Sequence, residues 1–220
     1  MTTIKRPPPG HLPFDATFRA TFRDLVLWRR DVRRFRRDPV PDRLLDDLIE
    51  LATHAPSVGL SQPWRFVKVN SPQRRQAVWE SFAAANEEAL KEYEGTRRAN
   101  YASLKLAGLK EAPVHLAVFA DESTTTGSGL GRQTMPETLR YSVVSAVQTL
   151  WLAARAEGLG VGWVSILDPA AVTRALDVPA SWTLVAYLDL GWPAEEHLDP
   201  ELERHHWERR HYTGDLVFER

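Results

Sequence analysis

The sequence predicts a single domain that mixes helices with buried strands, and three observations carry that expectation. The chain has 220 residues and is 43% hydrophobic, enough for one large core. Short, nearly continuous apolar runs at 64–69, 114–120, 162–166 and 183–190 have the length and composition of buried strands. Longer stretches between them carry apolar residues at helical spacing. No internal repeat and no linker divides the chain.

Taken in order, residues 1–14 read as a flexible N-terminal arm. They contain Pro7-Pro8-Pro9-Gly10 and lack the apolar core of a signal peptide. Asp15 is an expected N-cap, followed by Phe18, Phe22, Leu25 and Val26 on one helical stripe. Pro39 and Pro41 break the chain before a second helix, with Leu44, Leu45, Leu48, Leu51, Ala52 and Ala55 on one side. Ala55-Pro56-Ser57-Val58-Gly59 is a turn that presents backbone amides and a hydroxyl. A third helix spans 72–93, and 94–111 is polar and weakly helical, the composition of a mobile cover. The loop 122–134 contains Gly127, Gly129 and Gly131, but Arg132 stands where a dinucleotide fingerprint needs its third glycine. It is expected to be a flexible loop. The helix over 136–157 is apolar nearly all round, so it is expected to be buried on most sides, including against a second subunit. Ser165 is expected within the strand 162–166, and Asp168-Pro169 starts a short helix. The tail, 193–220, is polar but carries Trp207, Tyr212 and Phe218, aromatics that imply packing on its own body or on a partner.

Composition excludes several chemistries. No cysteine is present, so disulfides, thiolate nucleophiles and zinc–thiolate sites are ruled out, and a reducing cytoplasm is compatible. His205, His206 and His211 lie among Arg204, Arg209 and Arg210, whose charge opposes a metal cation. His54 and His115 stand alone and read as structural. No apolar run reaches membrane-spanning length. The net charge of -1 argues against a nucleic-acid-binding surface, despite one dense basic run.

That run is the most informative stretch. Six arginines fall in nine positions, 29–37, around the single acid Asp31. Guanidinium groups suit bidentate recognition of phosphate, and a carboxylate among them is expected to stay ionised. The competing reading is a solvated charge run. For Ser165 the competing reading is a hydroxyl bonded to the backbone.

Four separated motifs together resemble the flavin-dependent nitroreductase superfamily. They are Arg29-Arg30-Asp31-Val32-Arg33, then Ala55-Pro56-Ser57-Val58-Gly59 followed by Gln62-Pro63-Trp64, then Gly158-Leu159-Gly160-Val161-Gly162-Trp163-Val164-Ser165, and finally Asp215-Leu216-Val217-Phe218. Within that superfamily the chain is most similar to the aerobic branch that destroys its flavin to make the lower ligand of vitamin B12. Ordinary members typically carry serine at the position of Asp31 and asparagine at that of Leu60, and the departure at both positions points to this branch. The segment with Tyr101, Ser103-Leu104-Lys105-Leu106 and Ala112-Pro113 resembles that branch's cover over the flavin.

The resemblance implies an α+β fold, a central mixed or antiparallel sheet surrounded by helices, assembled as an intertwined homodimer with an extended C-terminal tail. The FMN-binding domain would span 15–220, with 94–111 as lid and 193–220 embracing the partner. Reduced FMN would be substrate rather than recycled cofactor, and O2 the co-substrate. The products would be 5,6-dimethylbenzimidazole and D-erythrose 4-phosphate, with alloxan or dialurate as the remaining fragment. A separate NAD(P)H:flavin reductase would supply FMNH2. The implied roles are base for Asp31 and positioning or proton relay for Ser165. Arg29, Arg30, Arg33 and Arg210 would anchor the phosphate, and the Gly59 amide would hold oxygen. Val32, Ser57, Leu104 and Lys105 complete the implied flavin contacts. The expected setting is cytoplasmic, without membrane or nucleic acid. The alternative is an FMN-dependent NAD(P)H nitroreductase or dehalogenase.

Overall fold

The fold is built on a four-stranded sheet of order β1-β2-β4-β3, antiparallel at every pairing. It is described here by a computed structural model for residues 14–104, 107–211, 214 and 216–220. The strands are β1 (Trp64–Lys68), β2 (Val114–Asp121), β3 (Gly160–Val164) and β4 (Trp182–Gly191). β2 and β4 are central and almost wholly buried, as their unbroken apolar runs require. A bulge at Val118/Phe119 shifts the β2–β4 register by one residue.

Helices cover both faces. On one face, α2 (Asp42–Ala52) packs Leu45, Leu48 and Ala52 against α6 (Thr138–Ala156), which buries Val143, Ala146, Val147, Leu150 and Ala154. On the other, α3 (Pro72–Lys91) and α7 (Pro169–Leu176) enclose Val78, Phe119, Val172, Leu176 and Tyr187. The helix starts follow local chemistry. Asp15 accepts the Phe18 amide at 2.8 Å and begins α1 (Ala16–Trp28). Ser71 and Asp168 cap α3 and α7, each with proline in the first helical turn. The 94–111 region contains two short helices, α4 (Gly95–Ser103) and α5 (Gly108–Glu111), and the tail contains α8 (Glu201–Arg204).

The sheet is antiparallel, one of the two forms expected. Two expectations need correction. β3 starts at Gly160, two residues before the expected strand, and ends before Ser165, which is exposed just beyond it. Glycine reads as a breaker in sequence, but here it admits another segment. A Cβ on Gly160 would lie 2.6 Å from Val32 Cγ2, and one on Gly162 would lie 2.3 Å from the Val32 carbonyl oxygen. The segment around Asp31 therefore lies directly on β3, with Asp31 bridged to Val161 in parallel and the Val32 amide donating to the Val161 carbonyl at 3.0 Å. Second, His115 does not stand alone. It lies 2.9 Å from the Tyr187 hydroxyl and 3.6 Å from Asp189, inside a buried polar cluster.

Most of the α1 stripe is uncovered: Phe18, Phe22 and Val26 are exposed, as are Phe14 just before the helix and Tyr141 and Val144 of α6. No described helix is long and apolar enough to cross a membrane.

Candidate active site

The approach of residues 31–33 to β3 creates the site. Asp31 sits at the edge of the sheet, where its Oδ1 accepts the Trp163 amide at 2.9 Å and its Oδ2 accepts Arg33 Nε at 3.2 Å. Its side chain keeps 38% of its surface open. It borders a cavity of about 190 Å³ lined also by Arg33, Leu104, Trp163 and Ser165, and by Asn86, Tyr101 and Trp207. An acid able to exchange a proton, a hydroxyl and aromatic walls thus converge on one space.

Burial acts on Asp31 against the charge of its arginine neighbours. Its pKa is raised, with burial the largest influence; the Trp163 amide and Arg33 pull in the opposite direction without prevailing. Much of the arginine run is engaged elsewhere. Arg34 pairs with Glu195 at 2.9 Å and Glu201 at 3.3 Å, and Arg36 pairs with Asp38 at 2.8 Å on the surface. Phe35 between them is core. The run is therefore neither one anion floor nor one solvated strip; it divides residue by residue.

Its first two members keep the character of an anion site. The Arg29 guanidinium lies 4.9 Å above the Trp151 ring, and Trp151 Nε1 donates to the Arg30 carbonyl at 3.2 Å. Arg30 Nη2 donates to the Leu27 carbonyl at 2.6 Å, while its Nε is buried with no hydrogen-bond partner among the described residues. Both side chains have pKa values below the ordinary guanidinium range, first from burial; Arg210 lowers both, Arg29 lowers Arg30 further, and Asp31 opposes the shift at Arg29. An orphaned buried donor beside crowded positive charge is what a phosphate would relieve. Arg210 thus joins Arg29 and Arg30 from far along the chain, whereas Arg33, only 12% exposed, is committed to Asp31 and to Glu201 at 4.0 Å. Arg33 is placed to hold Asp31 rather than the anion.

Ser57 and Gly59 lie elsewhere and do not line the Asp31 cavity. They precede β1, the opposite edge of the sheet, three strand spacings or roughly 14 Å from β3. Ser57 Oγ accepts the Gln62 amide at 3.1 Å, and the Val58 amide donates to Ser142 Oγ at 3.0 Å. Gly59 has φ +56°, and its close neighbour is the 127–131 loop: a Cβ on Gly59 would lie 2.9 Å from the Leu130 carbonyl oxygen. Gly127 and Gly131 of that loop thus serve a contact between two turns, whereas Gly129 faces Gln133. Leu60 and Gln62 also have positive φ, 55° and 44°. Non-glycine residues in this region store strain of roughly 1–3 kcal/mol each and concentrate at functional sites. Lys105 lies outside the described residues, as do Tyr212, Asp215 and residues 1–13.

Sequence reasoning did not single out Asn86 or Glu201. Glu201, 7% exposed, receives Arg34 and ties the tail to Arg33. Asn86 accepts a hydrogen bond from Tyr101 Oη at 3.0 Å. Neither belongs to a motif. Trp207 had a signal, an aromatic residue in a polar tail, and it packs on Tyr93 and Tyr101.

Comparisons with known proteins agree with this geometry. The model of the nitroreductase family matches residues 26–192. A 5,6-dimethylbenzimidazole synthase of Rhodospirillum rubrum is 57% identical over 197 residues, covering 90% of this chain and 93% of that protein. Another, from Rhodobacter capsulatus, is 46% identical and covers 89% of this chain and 94% of the relative. Among solved structures, an oxidised iodotyrosine deiodinase bound to FMN and 3-iodo-L-tyrosine superposes with a TM-score of 0.68 at 27% identity, covering 80% of this chain and 91% of that one.

Proposed function

This chain belongs to the nitroreductase family, and from that premise we propose that it is a 5,6-dimethylbenzimidazole synthase, consuming reduced FMN and dioxygen. The observation that carries the reading is the 57% identity to the R. rubrum enzyme across nine-tenths of this chain. The products are 5,6-dimethylbenzimidazole and D-erythrose 4-phosphate, with alloxan or dialurate carrying the remaining four carbons and two nitrogens of the flavin. FMNH2, when bound, supplies both the electrons for dioxygen and the carbon skeleton of the product.

The chain's own residues divide the remaining work. Arg29, Arg30 and Arg210 hold the phosphate, satisfying the buried Arg30 Nε. Arg33 and the Trp163 amide fix the Asp31 carboxylate, whose raised pKa suits an acid that takes up and returns a proton. Ser165, exposed at the end of β3 in the same cavity, positions the reacting part of the flavin or relays a proton. Val32 and Leu104 contribute backbone and apolar contact.

The working unit is a homodimer. Ser57 and Gly59 do not line the Asp31 cavity, and the partner's copy of that turn completes the site. The uncovered aromatic face of α1 and the exposed Tyr141 and Val144 of α6 supply surface for the contact. A separate NAD(P)H:flavin reductase provides FMNH2, and the enzyme works in the cytoplasm. The test is to load the protein anaerobically with reduced FMN, admit air and chromatograph the products. 5,6-Dimethylbenzimidazole is expected. Recovery of intact FMN after repeated cycles would instead support an NAD(P)H-dependent nitroreductase or dehalogenase.

A further inference from the structure

We propose that Trp207 is a positioning residue for this reaction: it latches the α4 cover shut over the cavity that holds Asp31 and Ser165. The inference rests on the flavin-consuming function proposed above.

Three side chains from two other elements converge on the Trp207 indole. Tyr93, just after α3, meets it edge-on at 5.3 Å and 86°, and Tyr101 of α4 meets it at 6.0 Å and 53°. The Arg97 guanidinium, also from α4, lies over the indole at 4.7 Å. Tyr93 and Tyr101 pack on each other at 5.0 Å, and the Tyr101 hydroxyl donates to Asn86 Oδ1 at 3.0 Å. Tyr101, Asn86 and Trp207 all line the Asp31 cavity, so the cluster forms part of its wall.

The tail that carries Trp207 is pinned at its base. The buried Glu201 carboxylate binds Arg34 at 3.3 Å and lies 4.0 Å from Arg33, which holds Asp31. The Trp207 amide donates to the Leu202 carbonyl at 2.8 Å, folding the segment back into a turn. One stretch of seven residues therefore joins the acid's own support to the cover, and its contact with the cover is aromatic and cationic.

The chemistry gives such a latch a purpose. Reduced flavin that meets dioxygen in an open, wet site has a competing outcome: two electrons and two protons pass to dioxygen, giving oxidised FMN and hydrogen peroxide. Excluding water suppresses such side reactions. The latch would set how FMNH2 partitions between fragmentation and peroxide release.

Trp207→Ala and Trp207→Phe in the full chain test this by two readouts. Without flavin, amide exchange across 95–104 is expected to quicken about fivefold to tenfold in Trp207→Ala, because two aromatic contacts and the cation–π contact go, and to stay near wild type in Trp207→Phe. With FMNH2 in air, Trp207→Ala is expected to bind within about threefold of wild type, since the phosphate arginines are untouched, but to release peroxide at the expense of 5,6-dimethylbenzimidazole. Trp207→Phe should recover most of the product yield. Should Trp207→Ala fail to fold, Arg97→Ala removes the cation–π contact alone and should shift both readouts in the same direction by less. Unchanged exchange across 95–104, or an unchanged ratio of product to peroxide, in a folded variant would overturn the latch. If wild type itself yields only FMN and peroxide, the proposed function fails and the positioning role with it, and exchange across 95–104 alone then decides whether Trp207 latches the cover.

Discussion

Asp31 and Asp189 are both acids whose pKa is raised chiefly by burial, yet they occupy opposite kinds of surroundings. Asp189, on β4 and 3% exposed, pairs in register with His115 and Gly162. Its Oδ1 has no hydrogen-bond partner among the described residues, and its pKa is pushed up to about 8 by burial and then by the charge of Asp31. His115, 3.6 Å away, is pushed down to about 3 by burial and by Arg75. The two therefore meet as neutral groups, because desolvation outweighs the attraction an ion pair would gain. Asp31 has both oxygens engaged, keeps part of its surface open and borders a cavity. A buried acid without an opening shapes stability and its pH dependence; one with an opening and fixed orientation is equipped for chemistry.

The largest expected effect separates the two acids. At equal FMNH2, Asp31→Asn should lower the rate of 5,6-dimethylbenzimidazole formation by roughly 10²–10⁴, the usual loss for a positioned acid or base. Asp189→Asn should leave that rate within a few-fold of wild type. Chromatography of timed samples distinguishes them. Next comes binding. Arg30→Ala should weaken FMN by roughly 1.5–3 kcal/mol, the worth of a charge-assisted hydrogen bond, and Arg210→Ala should behave similarly. Titration calorimetry reads both.

A smaller effect is the pH dependence of stability. The native state keeps the Asp189 proton up to about pH 8, whereas an unfolded aspartate gives it up near 3.9. Stability from this group is therefore lost as pH rises toward and through 8. His115, depressed to about 3, acts in the opposite direction, with stability lost as pH falls from about 6.5. Between about pH 6.5 and 8 Asp189 acts alone of the two. The melting temperature should fall across that window and flatten in Asp189→Asn, as differential scanning fluorimetry would record. The smallest effect is expected at the Arg36–Asp38 pair, where both side chains are 56% exposed. Asp38→Ala should change stability by less than about 1 kcal/mol in chemical denaturation.

Much of this architecture was legible in the sequence because it is written locally. Asp15 and Asp168-Pro169 announce helix starts, and the apolar runs of β2 and β4 announce buried strands. The start of β3 was not legible, because Gly160 and Gly162 matter through a chain segment more than 120 residues away. The site followed the same division. Arg29, Arg30 and Asp31 stood out by composition, but the Asp31 shift is set first by burial, and the share of the run that opposes it depends on where each arginine points. That is decided by partners such as Glu195 and Glu201, which no local pattern marks. Asn86 and Asp189 are single polar residues whose surroundings come only from folding. Ser57 and Gly59 stood out as a motif, while their distance from Asp31 appeared only once the strand order was known.

The most direct measurement of the central claim, that the cavity-facing carboxylate of Asp31 performs the chemistry and not the binding, is an FMNH2 titration of Asp31→Asn with affinity and product rate taken on the same sample. The account predicts near wild-type affinity, a rate that stays low at saturation, and FMN returned intact on exposure to air. A saturable rate close to wild type, reached simply by raising FMNH2, would contradict it and leave Asp31 as the counter-ion of Arg33.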